Sequence, residues 1–184
     1  MSEISHSIMK VSEKYAPIAI LALFSGSALA QHAQGAGVSV RAGIGEHYSR
    51  TELAWESPTL WSHELSGDWG RLDLVAEAGA AYWHSTGSRQ RVSVWQFSLV
   101  PMLRWHFADN YYAEAGIGPS IFTHATFAGE EISSAFQFSN HIGVGAYLSD
   151  HSRIGARFSH FSNGGLKRPN PGLNVVQILY TYQF

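Results

Sequence analysis

The sequence predicts an all-β protein, an eight-stranded antiparallel transmembrane β-barrel. Three features carry that expectation: a cleavable leader, alternating apolar and polar residues in segments of about ten residues, and a division of residue types between the two faces that reverses a soluble sandwich. At 184 residues, with no internal repeat, the chain has room for one domain.

The leader comes first. Lys10 and Lys14 precede an apolar run over 16–24, and Ala28-Leu29-Ala30 then offers a small-residue cleavage site. A membrane helix needs about 20 apolar residues, so this run is too short to span. Residues 1–30 therefore read as a secretory signal peptide and residues 31–184 as the barrel. The chain has no cysteine, which removes a lipoprotein anchor, a disulfide framework, a thiolate metal site and a cysteine nucleophile.

Eight alternating segments follow, near 37–48, 51–57, 70–84, 91–107, 110–122, 134–149, 152–162 and 174–184. The first carries Arg41 on its polar parity. The second is obscured at its end by Pro58 and by Trp55, Trp61 and Trp69, and the third carries Glu77 on its polar parity. The fourth is the clearest: Trp95, Phe97, Leu99, Pro101, Leu103, Trp105 and Phe107 share one parity, with Gln96, Ser98, Arg104 and His106 on the other. The fifth sets Tyr111, Ala113, Ala115 and Ile117 against Glu114, Gly116 and Gly118. In the sixth, Phe136, Phe138, Ile142, Val144, Ala146 and Leu148 oppose Gln137, Ser139, His141, Gly143 and Gly145. The seventh alternates Ile154, Ala156 and Phe158 with Arg153, Gly155, Arg157 and Ser159. The eighth alternates Val176, Ile178, Tyr180, Tyr182 and Phe184 with Gln177, Thr181 and Gln183.

The polar parity collects Arg41, Glu77, Arg104, Glu114, Arg153 and Arg157 among small residues, a composition suited to a narrow lumen filled by ion pairs and water. The apolar parity carries aromatic residues near segment ends, as membrane girdles do, and the tryptophans are expected in the girdles or on the outer wall. Lipid accepts only helices and closed barrels as spanning structures, so these strands imply a closed cylinder in the bacterial outer membrane.

Against that frame stands the stretch "FSHFSNGGLKRPNPGLN", residues 158–174. Its glycines and prolines are turn chemistry. Counting by twos from Phe158 puts His160 and Ser162 on the lipid side, and counting back from Val176 puts Asn174 there too. Histidine two residues from serine shares its strand face, so the imidazole can reach the hydroxyl and take its proton, leaving a nucleophile for an ester carbonyl. The alternative is a strand end and turn standing above the acyl region, where polar residues are harmless.

At these residues the chain resembles the PagL family, the lipid A 3-O-deacylases of Gram-negative outer membranes. The match rests on His160-Phe161-Ser162-Asn163 followed by Gly165-Leu166-Lys167 and Pro169-Asn170. The resemblance implies Ser162 as nucleophile, His160 as general base and Asn163 as a residue important for activity. It further implies Asn170 as a group polarising the oxyanion, with Gly164 and Gly165 letting backbone N–H groups approach. It implies no metal or other cofactor, and removal of the ester-linked 3-hydroxyacyl chain at position 3 of lipid A. One departure concerns the third member: where the family's pattern has a glutamate fourteen residues after the histidine, this chain has Asn174, which can orient the imidazole but supplies no charge.

Lys167 and Arg168 are candidates for pairing with lipid A phosphates, or are simply the basic residues of a hydrated turn. A formal charge of −2 gives no basic footprint for nucleic acid, and the ten histidines show no metal-ligand spacing. The expected partners are lipid A or lipopolysaccharide in the membrane and, through the C-terminal strand, the barrel-assembly machinery; a homodimer is left open. Two other functions compete, a non-catalytic anchoring or adhesion barrel and a lipid A acyltransferase, although the amphipathic N-terminal helix of the latter is missing.

Overall fold

The computed structural model describes residues 35–86 and 93–184, so the leader lies outside the described residues. Among these it contains β1 (Gly37–Ile44), β2 (Tyr48–Glu56), β3 (Trp61–Glu64), β4 (Arg71–Ser85), β5 (Ser93–Ala108), β6 (Tyr111–Phe122), β7 (Thr126–Phe127), β8 (Glu130–Glu131), β9 (Phe136–Ser149), β10 (Ser152–Ser162) and β11 (Leu173–Gln183). Eight staves form the cylinder, β1, β2, β4, β5, β6, β9, β10 and β11, all antiparallel, and the β2–β4 pairing closes it. Closure removes the free edges that lipid would not tolerate.

Two segments end differently from the alternation. β1 stops at Ile44, and Tyr48 begins β2 after a turn in which the Gly45 N–H donates to the Tyr48 carbonyl at 2.8 Å. The second stave is split: β2 ends at Glu56, the chain leaves the wall around Pro58, and β3 rejoins it along residues 71–74 of β4. Proline has no N–H to give the ladder, which accounts for the break. β7 and β8 form a small hairpin within the loop between β6 and β9. Hereafter the rim carrying the β1–β2, β6–β9 and β10–β11 loops is the upper rim.

The faces separate as the alternation requires. Ile142 and Ile178 are 63% and 65% exposed, as befits side chains that meet lipid rather than water, and Val40, Leu53, Phe97, Leu99, Ile117 and Phe158 join them. Aromatic rings band both ends of this wall. Near the upper rim Tyr82 and Trp95 pack edge to face at 5.3 Å; near the lower rim Trp69 stacks on Trp105 at 6.4 Å.

Inside lies an ionic lattice. Arg157 binds both oxygens of Glu77 at 2.8 and 2.9 Å and also bonds Glu114. Glu77 takes Arg41 as well, at 2.9 Å. Arg104 bridges Glu56 and Glu114, at 2.8 and 3.1 Å, and Arg153 also reaches Glu56. Glu52 is held by Arg41 and Arg50. Charges this buried persist only when partnered, and here each carboxylate meets at least two guanidinium groups.

Above the lattice the lumen is sealed by apolar residues. Tyr48, Trp83, Phe122, Phe127, Ile132, Phe161, Leu173 and Val175 form one buried cluster. Trp83 thereby corrects the expectation that tryptophans sit in the girdles or on the wall: it is fully buried, packs edge-on to Phe161 at 5.1 Å and donates its indole N–H to Gln96 at 3.2 Å. The cluster gives the upper rim a solid floor, which holds the ends of β10 and β11 in place.

Candidate active site

β10 and β11 run together to the upper rim, pairing Phe158 with Val176, His160 with Asn174 and Phe161 with Leu173. Arg157, Ser159 and Phe161 point inward and are buried, so the intervening His160 and Ser162 face outward, half-buried, and Asn174 is exposed beside them. Across this rung His160 Nδ1 lies 2.7 Å from Asn174 Oδ1. An amide oxygen accepts only, so Nδ1 carries a proton toward Asn174, and the neutral form of that tautomer has its lone pair on Nε2. Among the described residues the Ser162 hydroxyl has no hydrogen-bond partner.

A second serine–histidine contact serves as a contrast. Ser159 Oγ and His141 Nδ1 are 2.7 Å apart, but both residues face the lumen and Ser159 is sealed from solvent. Gln177 Nε2 also donates to that hydroxyl, at 2.8 Å. No substrate can reach this pair, so distance alone does not define the site.

The loop over 163–172 is organised by Asn163, which is buried. Its side-chain amide donates to the Lys167 and Ile132 carbonyls, at 3.0 and 3.3 Å, and its oxygen accepts from the Gly165 N–H at 2.9 Å. With those contacts it faces the protein interior and ties the loop to the β6–β9 loop. Ser133 adds a second tie, donating to the Pro169 carbonyl at 2.6 Å. Asn170 Oδ1 accepts from the Asn163 N–H at 3.2 Å, which directs its NH2 group away from that contact. Gly164 and Gly165 both have positive φ, 66° and 83°. The Gly165 N–H is occupied by Asn163, whereas the Gly164 N–H has no partner among the described residues. Lys167 and Arg168 are exposed on the same loop.

Three neighbours of the site were not foreseen as such from the sequence. Asn140 stands opposite His160 on β9 and donates to its carbonyl at 3.3 Å. Phe138 stands opposite Ser162 and packs edge-on to Phe136 at 5.1 Å, giving the serine an apolar flank. Gly172, at φ 74°, passes so close to the imidazole that a Cβ there would lie 2.7 Å from His160 Cε1. Glu46 and Glu130 share with Asn174 the lining of a cavity of about 140 Å³. The side chain of Glu46 is 85% exposed, so water screens most of its charge.

The model of the lipid A 3-O-deacylase (PagL) family matches residues 49–183. The chain belongs to that family. It is 55% identical to the lipid A deacylase PagL of Bordetella bronchiseptica over 167 residues, which cover 91% of this chain and 93% of that one. Against the lipid A deacylase PagL of Pseudomonas aeruginosa the identity is 31% over 175 residues, covering 91% and 97%. The crystal structure of the outer membrane enzyme PagL superposes with a TM-score of 0.72 at 26% identity, covering 80% of this chain and 99% of that chain. As a closed barrel with a lipid-facing apolar wall, this PagL family member is an outer-membrane protein.

Proposed function

We infer that this barrel is a lipid A deacylase that hydrolyses the ester holding the 3-hydroxyacyl chain at position 3 of lipid A. Ser162 is the nucleophile, His160 the general base and Asn174 the group that orients the imidazole. The observation that supports this most directly is the 2.7 Å contact of His160 Nδ1 with Asn174 Oδ1 on the outward face, with His160 two residues before Ser162 on the same face of β10.

In this reading His160 Nε2 takes the Ser162 proton as Oγ attacks the ester carbonyl. The oxyanion that forms is met by the Asn170 amide and the Gly164 N–H, donors worth about 3 kcal/mol each when well aimed. Nε2 then returns the proton to the departing sugar oxygen. Water, activated by the same nitrogen, cleaves the acyl-serine and releases a 3-hydroxy fatty acid. Asn174 sets the tautomer but stabilises the imidazolium less than a carboxylate would, which makes this a working triad without a carboxylate. The acyl chain runs from Phe138, opposite Ser162, along the lipid-facing rung of Ile142, Phe158 and Val176. Lys167 and Arg168 face the phosphates, and exposed Phe184 closes the C-terminal strand that assembly machinery would engage.

Mass spectrometry of lipid A from cells making the wild-type chain should reveal the loss of one 3-hydroxyacyl mass. Gain of an acyl mass would indicate transfer instead, and an unchanged spectrum would leave a non-catalytic barrel. Gly172→Ala should lower kcat by about 100-fold, because a displacement of about 1 Å in a catalytic group has that scale. The added methyl must push the imidazole aside, and φ 74° disfavours any residue but glycine. A normal rate in the purified alanine variant would show that His160 does not work from this position.

A further inference from the structure

The His160–Asn174 contact lies at a strand end that the ladder supports on one side only. β1 follows β11 as far as Ile44 opposite Val176. β10 follows it further, through His160 opposite Asn174 to Phe161 opposite Leu173. Asn174 thus stands above the last rung that β1 provides, and its peptide groups on that edge need another partner.

Tyr48, the first residue of β2, supplies one. Its phenolic oxygen accepts from the Asn174 N–H at 2.9 Å, and its O–H donates to the Asn174 carbonyl at 3.2 Å. One hydroxyl replaces the missing rung. The ring that carries it is only 6% exposed and is packed at 5.4 Å from Trp83 and 5.7 Å from Phe127, so the aromatic floor fixes where the hydroxyl stands.

The direction of these bonds decides how close the side chains come. Both main-chain groups of Asn174 turn toward Tyr48 and away from β10, while the His160 carbonyl turns toward Asn140 on β9. The 160–174 rung is therefore a non-hydrogen-bonded pair, the type in which facing Cα atoms are closest, at about 4.5 Å. That proximity lets an asparagine, shorter than a glutamate by one methylene, still meet the imidazole.

We propose that Tyr48 is a positioning residue for deacylation. By holding the Asn174 peptide it sets the height and twist at which Oδ1 meets His160 Nδ1, and hence the direction in which Nε2 faces Ser162. Tyr48 acts from inside the wall and touches no reacting atom. The inference rests on the Ser162–His160–Asn174 reading of the site.

Tyr48→Phe keeps the ring and removes only the hydroxyl. With lipid A in mixed micelles, kcat should fall about 10- to 100-fold, the scale of a misaligned catalytic group, while KM changes less than about twofold because no substrate contact is lost. In an Asn174→Ala background the same change should cost less than about threefold, since the side chain through which Tyr48 acts is already gone. Nitrogen-15 shifts of His160 should report a single Nδ1–H tautomer in the wild type and a mixture in Tyr48→Phe. Rates are taken per molecule with folded-barrel gel mobility, so a partly folded preparation still decides the question. A wild-type kcat in Tyr48→Phe, or an equal loss in both backgrounds, overturns the proposal. Undiminished activity in Ser162→Ala would instead overturn the site reading beneath it.

Discussion

Ser162→Ala is expected to abolish release of 3-hydroxy fatty acid from lipid A, with a loss in kcat on the order of 10⁴ or more, the scale seen when a nucleophile is removed from a group that acts as a unit. The barrel should hardly notice. Ser162 is half-buried at the end of β10, its hydroxyl bonds no described residue, and such changes usually cost within about 0.5 kcal/mol. Activity and folding should therefore separate cleanly when mass spectrometry of the lipid is paired with the temperature at which gel mobility shifts to the unfolded form. The buried pair gives the internal control: Ser159→Ala removes a hydroxyl bonded to His141 and Gln177, yet should leave the mass spectrum of lipid A like that of the wild type. If the two serines exchanged these outcomes, the outward site would have to be abandoned.

The second large effect is on stability. Glu77→Ala should destabilise the barrel by about 3–5 kcal/mol, because removing one partner leaves buried charge without compensation. Glu77 holds Arg157 with both oxygens and Arg41 with one of them, and all three are buried. Arg157 retains Glu114 and Arg41 retains Glu52, so the lattice is strained rather than dissolved. Denaturant unfolding in detergent would read the loss. A stability unchanged within about 1 kcal/mol would mean that water enters the lumen and solvates the freed guanidinium groups, contrary to the burial of these side chains.

How much of this was legible in the chain follows from what alternation encodes. Period two assigns a face, so Arg153, Arg157 and Ser159 inside, and Ile154, Phe158, His160 and Ser162 outside, could be read from β10 directly. The same count, carried from Glu77 through Gly79 and Ala81, puts Trp83 inside; the habit of assigning tryptophan to membrane girdles hid it, because the apolar seal above the lattice has no signature in composition. Likewise Asn163 follows Phe161 by two and points inward, toward carbonyls of two loops that are distant in sequence. Tyr48 and Asn140 could be given a face but not a partner. Their contacts depend on which strands become neighbours at closure and on where each pair of strands stops, and neither is a property of a single segment. The break in the second stave was signalled by Pro58, but its return as β3 was not.

The filled interior bears on the physiology of the cell that carries this protein. Wider barrels enclose a water-filled channel, whereas a cylinder of eight staves packed with buried side chains leaves solutes no path, so each copy can enter the outer membrane without opening a hole in its permeability barrier.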